Sequence, residues 1–269
     1  MKAGRVALLC ALAALAALAA LVSCRGQSVN ARSNFVEDGV QVVAATAWTG
    51  ERIEIDNAGV TSGGGLAVTA SATDRVSATA RMLSVADTTD KSSADLAISS
   101  ATMTFVIGTA GGVTSVRCGH GTHNGSAAAE ESGCDALDVS VPAGKVDQRI
   151  AVAARSGNGK VAVACDGAQL AELTLYASHG TIDVRTATTQ GASITIVSET
   201  GDDITLHLPG DFQADSIVLD AAAGNVDTAA FADLQAGKGR GAIGAGAKLI
   251  SVRSTAPGGA SGHIVLVPL

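Results

Sequence analysis

"TIDVRTATTQGASITIVSETGDDITLHLPGDFQ", Thr181–Gln213, holds short runs in which apolar and polar residues alternate: Ile182 to Arg185, Ser193 to Ser198 and Ile204 to Leu208. A period of two is the signature of a half-buried strand, and these runs are too short for helices. Gly191, Gly201 and Gly210 follow them, as turn residues should. The same text recurs on both sides. Upstream stand "RIAVAARSGNG", "KVAVACDGAQ" and "LTLYASHG"; downstream stand "SIVLDAAAG" and "NVDTAAF". Ile182, Ile194, Ile204, Ile217 and Val226 head successive strands, at steps of 12, 10, 13 and 9 residues. A hairpin meander and a solenoid both predict short Gly-bounded strands. The solenoid better explains why one strand text keeps returning with small inward residues, because each rung stacks like on like. The expected fold is therefore all-β, a right-handed β-helix-like solenoid, with an antiparallel β-sandwich as the alternative.

The N-terminal half reads the same way, less regularly. "ERIEIDNAG" (Glu51–Gly59) alternates charge with Ile. "GLAVTASATDRVSATARMLSV" predicts two strands, with Leu66, Val68 and Ala70 on one face, Val76, Ala78, Ala80 and Met82 on the next, and a turn at Asp74-Arg75. Alternation lapses over Asp87–Ile98, which predicts a short helix, and returns at "SATMTFVIG". Aromatic residues are nearly absent: Trp48, Tyr176 and four Phe. Small and β-branched residues take their place, as suits thin stacked strands.

The first residues read as an address. Lys2 and Arg5 precede an uncharged run from Val6 to Val22, 17 residues rich in Ala and Leu. A bilayer core needs about 20 apolar residues, so the run suits a signal peptide better than a span. It closes on Leu21-Val22-Ser23-Cys24, which resembles a bacterial lipobox. That resemblance implies a signal peptide over 1–23, a lipid on the Cys24 sulfur and a polar tether over 24–34. Several acyl chains together make a durable membrane anchor. Arg25 stands where an Asp would favour inner-membrane retention, so the expected place is the cell envelope, at the outer membrane. Without Lys2 and Arg5, 16 basic residues remain against 25 acidic ones, a formal charge of −9. Nucleic-acid binding needs a basic footprint and is not expected.

Export places the remaining cysteines in an oxidising compartment. Cys118 and Cys134 flank a Gly-, Ser- and Ala-rich stretch and are expected to form a disulfide across a loop insertion at about 119–133. Such a bridge contributes about 3 kcal/mol by the chain-entropy argument. Cys165, in "KVAVACDG", is expected to stay reduced.

"TGERIEIDNAGV", "GNGKVAV", "GTIDVRT", "GDDITLHLPGDFQADSIVLDAAAGNVD" and the closing "GRGAIGAGAKLISVRSTAPGGASGHIVLV" together resemble the adhesin domain family of bacterial envelope proteins. The resemblance spans about Phe35 to Leu269. It implies a β-solenoid and an adhesive role, and it brings no active-site residues.

Possible chemical motifs are few. Cys118, His120 and His123 fall short of a four-ligand metal site. Gly239–Gly244, "GRGAIG", matches G-x-G-x-x-G literally but lacks a helical pattern after it, so no dinucleotide and no other cofactor is expected. Asp202, Asp203, Asp211, Asp215, Asp220 and Asp227 form an acidic stretch. Solenoid turns can hold Ca²⁺ through such residues, and paired carboxylates can cleave sugars. Turn formation explains them as well. The function expected is a non-enzymatic, adhesin-like scaffold that binds a glycan or an envelope protein. The alternatives are a polysaccharide lyase or hydrolase on a β-helix, and an accessory in envelope-stress sensing.

Overall fold

A computed structural model describes residues 34–57, 65–87, 92, 102–122, 130–144, 148–157, 159–187, 192–210, 214–222, 224–231, 240–243, 249–255 and 262–269. The expected signal peptide, Cys24 and all but the last residue of the expected tether lie outside them, as does nearly all of the helix expected over Asp87–Ile98. The strands in chain order are β1 (Asn34–Ala47), β2 (Arg52–Asn57), β3 (Gly65–Ser71), β4 (Arg75–Asp87), β5 (Thr102–Ala110), β6 (Val113–Thr122), β7 (Glu130–Pro142), β8 (Ile150–Ser156) and β9 (Val161–Ala164). There follow β10 (Leu170–Ala177), β11 (Ile182–Arg185), β12 (Ser193–Ser198), β13 (Ile204–Leu208), β14 (Ala214–Ala221), β15 (Val226–Asp227), β16 (Arg240–Ile243), β17 (Leu249–Ser254) and β18 (Ile264–Pro268).

The fold is all-β, with two nine-stranded mixed sheets that do not close into a barrel. The first runs β1-β4-β7-β3-β9-β11-β13-β18-β15, the second β16-β14-β17-β12-β10-β8-β2-β6-β5. Alternation decides what lies between them. Ile182, Val184, Ile204 and Leu206 of the first sheet and Val152, Leu173, Ile194 and Ile250 of the second are buried in one core. Their polar neighbours face outward. Leu66, Val68, Val76, Ala78 and Ala80 are buried as their pattern predicts, with Ala70 packed against the same core.

From β8 to β13, consecutive strands fall in alternate sheets, and each of β10 to β13 pairs in parallel with the strand two before it. Leu173 aligns with Val152 and Ile194, and Ile182 with Val161 and Ile204. Antiparallel pairing is confined to β1–β4–β7 and β5–β6 at one end and β14–β16 at the other. The structure thus has the two facing sheets of a sandwich and, through its middle, the parallel pairing of a solenoid.

Chain order and spatial order part at both ends. Ile217 does not follow Ile194 in space, nor Val226 Ile204. Ile250 stands between the first pair and Ile264 between the second, because β17 and β18 are intercalated there. At the other end β7 lies between β3 and β4, which the sequence places as neighbours. The reason is that "LISVRS" and "IVLVP" carry the same alternation as every other rung, so alternation alone cannot order the rungs.

The turns from the second sheet into the first stack as well. Gly180 sits at φ +102°, and a Cβ there would strike the Gly159 carbonyl. A Cβ on Gly262 would strike the Gly201 carbonyl. Successive turns therefore approach to backbone contact, which only glycine allows. Beside them a row of small side chains, Ser156, Ala177, Ser198 and Ser254, is buried in register.

Glu51 fixes the entry to β2. Its carboxylate accepts hydrogen bonds from the Thr49 amide (2.9 Å) and hydroxyl (2.8 Å) and from the Thr114 hydroxyl, while its carbonyl accepts from the Trp48 indole. Burial alone would raise its pKa, but these hydrogen bonds outweigh burial and lower it from 4.5 to about 2. A depressed carboxylate stabilises the fold above its unfolded pKa, and that contribution is lost as pH falls through the folded value. Glu51→Gln is therefore expected to lower the urea midpoint at neutral pH, with the gap from the parent closing between about 4.5 and about 2. A gap that does not change with pH would refute this role.

Candidate functional site

The Cys118–Cys134 disulfide joins β6 of the second sheet to β7 of the first, with Cα atoms 5.9 Å apart and both residues buried. The loop expected at about 119–133 is shorter than its composition suggested. β6 runs on to Thr122 and β7 begins at Glu130, because β4 continues its ladder down to Glu130 opposite Ala86. Small residues in an extended strand leave no apolar alternation to read. His123 lies outside the described residues, and of His120 only the backbone, in β6, is described. Cys165 is free and buried, and burial, with Asp166 nearby, pushes its thiol up to about 12. Such a thiol is unreactive at neutral pH.

The acidic stretch does not converge on one site. Asp202 Oδ2 accepts from the Gly180 amide (2.8 Å) and lies 2.7 Å from the Thr200 hydroxyl. Asp203 Oδ1 accepts from the His263 amide (2.8 Å), and Asp227 Oδ1 from the Ala229 amide (2.9 Å). Asp220 pairs with Arg253 on the outer face of the second sheet (3.4 Å). The first two tie one turn to the next, so they are turn-forming residues. Asp211 lies outside the described residues; Asp215 lies in β14, with only its backbone described. Among the described residues no three His, Cys, Asp or Glu side chains gather as metal ligands do. Gly239 and Gly244 also lie outside the described residues, and Arg240–Ile243 between them is strand β16.

The outer face of the second sheet carries the more telling arrangement. Register aligns Val106, Arg117, Asp56, Arg155, Tyr176, Val197, Arg253 and Asp220 in one row across eight strands. Tyr176 stands on β10, the middle strand, with 40% of its surface exposed. One step along the strands, Ala153 lies between Glu54 and Thr174. Its small side chain leaves a shallow depression of about 200 Å³, lined by Glu54, Asp56, Arg117, Ala153, Arg155 and Tyr176.

Most outward cations on the two sheets are paired. Arg52 meets Glu172 (2.9 Å), Arg185 meets Asp166 (3.4 Å), Arg253 meets Asp220 (3.4 Å), Lys160 meets Asp183 (3.7 Å), and Arg81 meets Asp135. Arg117, Asp56 and Arg155 lie on adjacent strands, yet among the described residues none makes an ion pair within 4 Å. The depression is thus rimmed by unused donors, one unused acceptor and an aromatic ring. Sequence reading did not single these residues out.

No family model and no curated protein matches the chain. Among solved structures, one of a "putative cell adhesion protein" from Clostridium sporogenes is similar, with a TM-score of 0.53 and 11% identity, over 86% of this chain and 100% of that one. At that identity the likeness shows a shared fold.

Proposed function

We propose that the chain is a lipid-anchored, non-enzymatic, adhesin-like protein of the cell envelope, held at the outer membrane through Cys24. Its domain winds as a right-handed β-helix-like solenoid and presents the outer face of the second sheet to a ligand. The alternation of β8 to β13 between sheets supports the winding, and parallel crossovers are nearly always right-handed. The carrying observation for binding is the row at Arg117, Asp56, Arg155 and Tyr176, which lines a depression and whose charged groups make no ion pair among the described residues. Binding sites keep such groups free for the ligand. The carboxylates a sugar hydrolase would need are engaged instead with turn amides, at Asp202 and Asp203. The similar fold of a protein described as a cell adhesion protein supports the same reading.

Fractionation of cells that express the parent and Cys24→Ala tests the anchor. The parent is expected in the outer-membrane fraction with a fatty-acid label, and the variant unlabelled in the soluble fraction. A variant that stays membrane-bound at unchanged mobility would end the anchored reading.

A further inference from the structure

We infer that the ligand of the second sheet's outer face is an uncharged glycan, laid along the row with one sugar ring on Tyr176. This rests on the reading of that face as the binding surface and names what binds there. The first argument is the ring. Tyr176 is the chain's single tyrosine, and it stands exposed at the middle of a nine-stranded sheet. Nothing in the core needs it there, since its neighbours Leu175 and Ala177 make the inward contacts. An aromatic face offers an apolar platform with a polar tip, which matches a sugar's C–H face and hydroxyl rim.

The second argument is hydrogen-bonding capacity. Sugar hydroxyls donate and accept at once, so they are best met by donors and acceptors side by side. Arg155 and Arg117 supply guanidinium donors, and Asp56 between them supplies acceptor oxygens. Strands lie about 4.8 Å apart, which puts the two arginines' backbones about 10 Å apart along the row. Ala153 leaves room beside the ring for one sugar to settle.

The third argument is charge. Arg52, Arg117 and Arg155 are matched on this patch by Glu54, Asp56 and Glu172, so the patch is neutral, on an exported chain whose formal charge is −9. An acidic polymer would gain at two guanidiniums but meet Asp56 between them and the field of the whole chain. A neutral polymer meets no such opposition. The row continues past the depression on both sides, to Val106 at one end and through Val197 to Arg253 and Asp220 at the other, so an extended chain of sugars has further side chains to meet.

The test uses the full chain purified in detergent, with arrayed neutral oligosaccharides of glucose, mannose and xylose as probes and polygalacturonate and heparin as acidic comparators. Binding to at least one neutral probe is expected, and little weakened by salt, because no net charge is screened. Tyr176→Ala is expected to weaken it about tenfold or more, equivalent to about 1.4 kcal/mol. Ala153→Gln is expected to weaken it by filling the depression. Tyr176→Phe should keep most of it, and all three variants should unfold at the parent's urea midpoint. Neutral-glycan binding that survives both Tyr176→Ala and Ala153→Gln would overturn the site. Binding to the acidic comparators alone, abolished by salt, would overturn the ligand class. So would an absence of glycan binding by a chain still anchored through Cys24, and that outcome would leave the anchored-scaffold reading standing.

Discussion

A chain that ends at Lys248 is expected to lose cooperative folding of its C-terminal half. The deleted part contains β17 and β18, which are not a terminal appendage. They lie between β12–β13 on one side and β14–β15 on the other. Their removal exposes the edges of β12 and β13 and separates the β14–β15 rung from the body. Ile250, Val252, Ile264 and Leu266 are all buried. At about 2.5 kcal/mol for each buried side chain, their loss removes about 10 kcal/mol of apolar burial. That is comparable with the whole stability of an ordinary domain, about 5–15 kcal/mol. Far-UV circular dichroism, urea titration and limited proteolysis would measure the outcome. Early cleavage within 193–227 and a broad, lowered urea transition are expected. The competing possibility is that β14–β15 moves one step and pairs directly with β12–β13, since Ile217 and Val226 match the rung pattern as well as Ile250 and Ile264 do. A truncated chain with the parent's urea midpoint would show that this happens and that intercalation is dispensable.

The same ambiguity marks how far the fold was legible. Ile182, Ile194, Ile204 and Ile217 announce strands, and their alternation announces which side is buried. Both hold, because a period of two is a local property that every rung must satisfy. Rung order is not local. It depends on which strand's backbone amides meet which carbonyls, and rungs with the same text offer interchangeable partners. Glycines were legible as turns but not as a stack. That Gly180 needs its conformation because Gly159 presses against it becomes visible only when the two turns are superposed. The disulfide was legible from the expectation of export and from cysteine number. The strands it joins were not, because Gly, Ser and Ala in an extended ladder look like loop.

The candidate site was legible in one respect that motif reading misses. In "IEIDN", "TSVRC", "VAARS", "LTLYA", "ITIVS", "ISVRS" and "IVLDA" the fourth residue is outward, and it reads Asp56, Arg117, Arg155, Tyr176, Val197, Arg253 and Asp220. Superposition of the repeats by their apolar positions would have assembled this row before any coordinates. Its order in space would still be missing, because Arg117 of β6 lies beside Asp56 of β2 and not where the chain order puts it. The acidic stretch misled in the opposite way. Closeness in sequence suggested a cluster, but successive residues in these turns serve different neighbours: Asp202 binds the preceding rung's turn and Asp203 the following one's.

Ile194→Asp is expected to abolish folding of the domain, whereas Thr195→Asp, one residue along the same strand, is expected to be tolerated. Ile194 is fully buried, in register between Leu173 and Ile250. Aspartate there loses a buried aliphatic side chain, which costs about 2–5 kcal/mol when such a residue is truncated. It also places a carboxylate among Leu, Ile and Val side chains with no cation or amide to meet it. Burying an unpaired charge costs several kcal/mol more, even when the group avoids part of that by taking up a proton. Together these exceed the lower end of a domain's stability, about 5 kcal/mol. Thr195 points the other way, beside Thr174 and Ser251 on the outer face, and is half-buried. Aspartate at that position stays hydrated and is expected to cost about 1 kcal/mol, the span of strand propensity. The pair controls for backbone, strand and charge at once, so only the side of the sheet differs. Soluble yield, circular dichroism and urea midpoints of both variants decide it. Equal behaviour of the two would mean that Ile194 is not enclosed between the sheets, and the inward row from Val152 through Ile250 would then have to be redrawn.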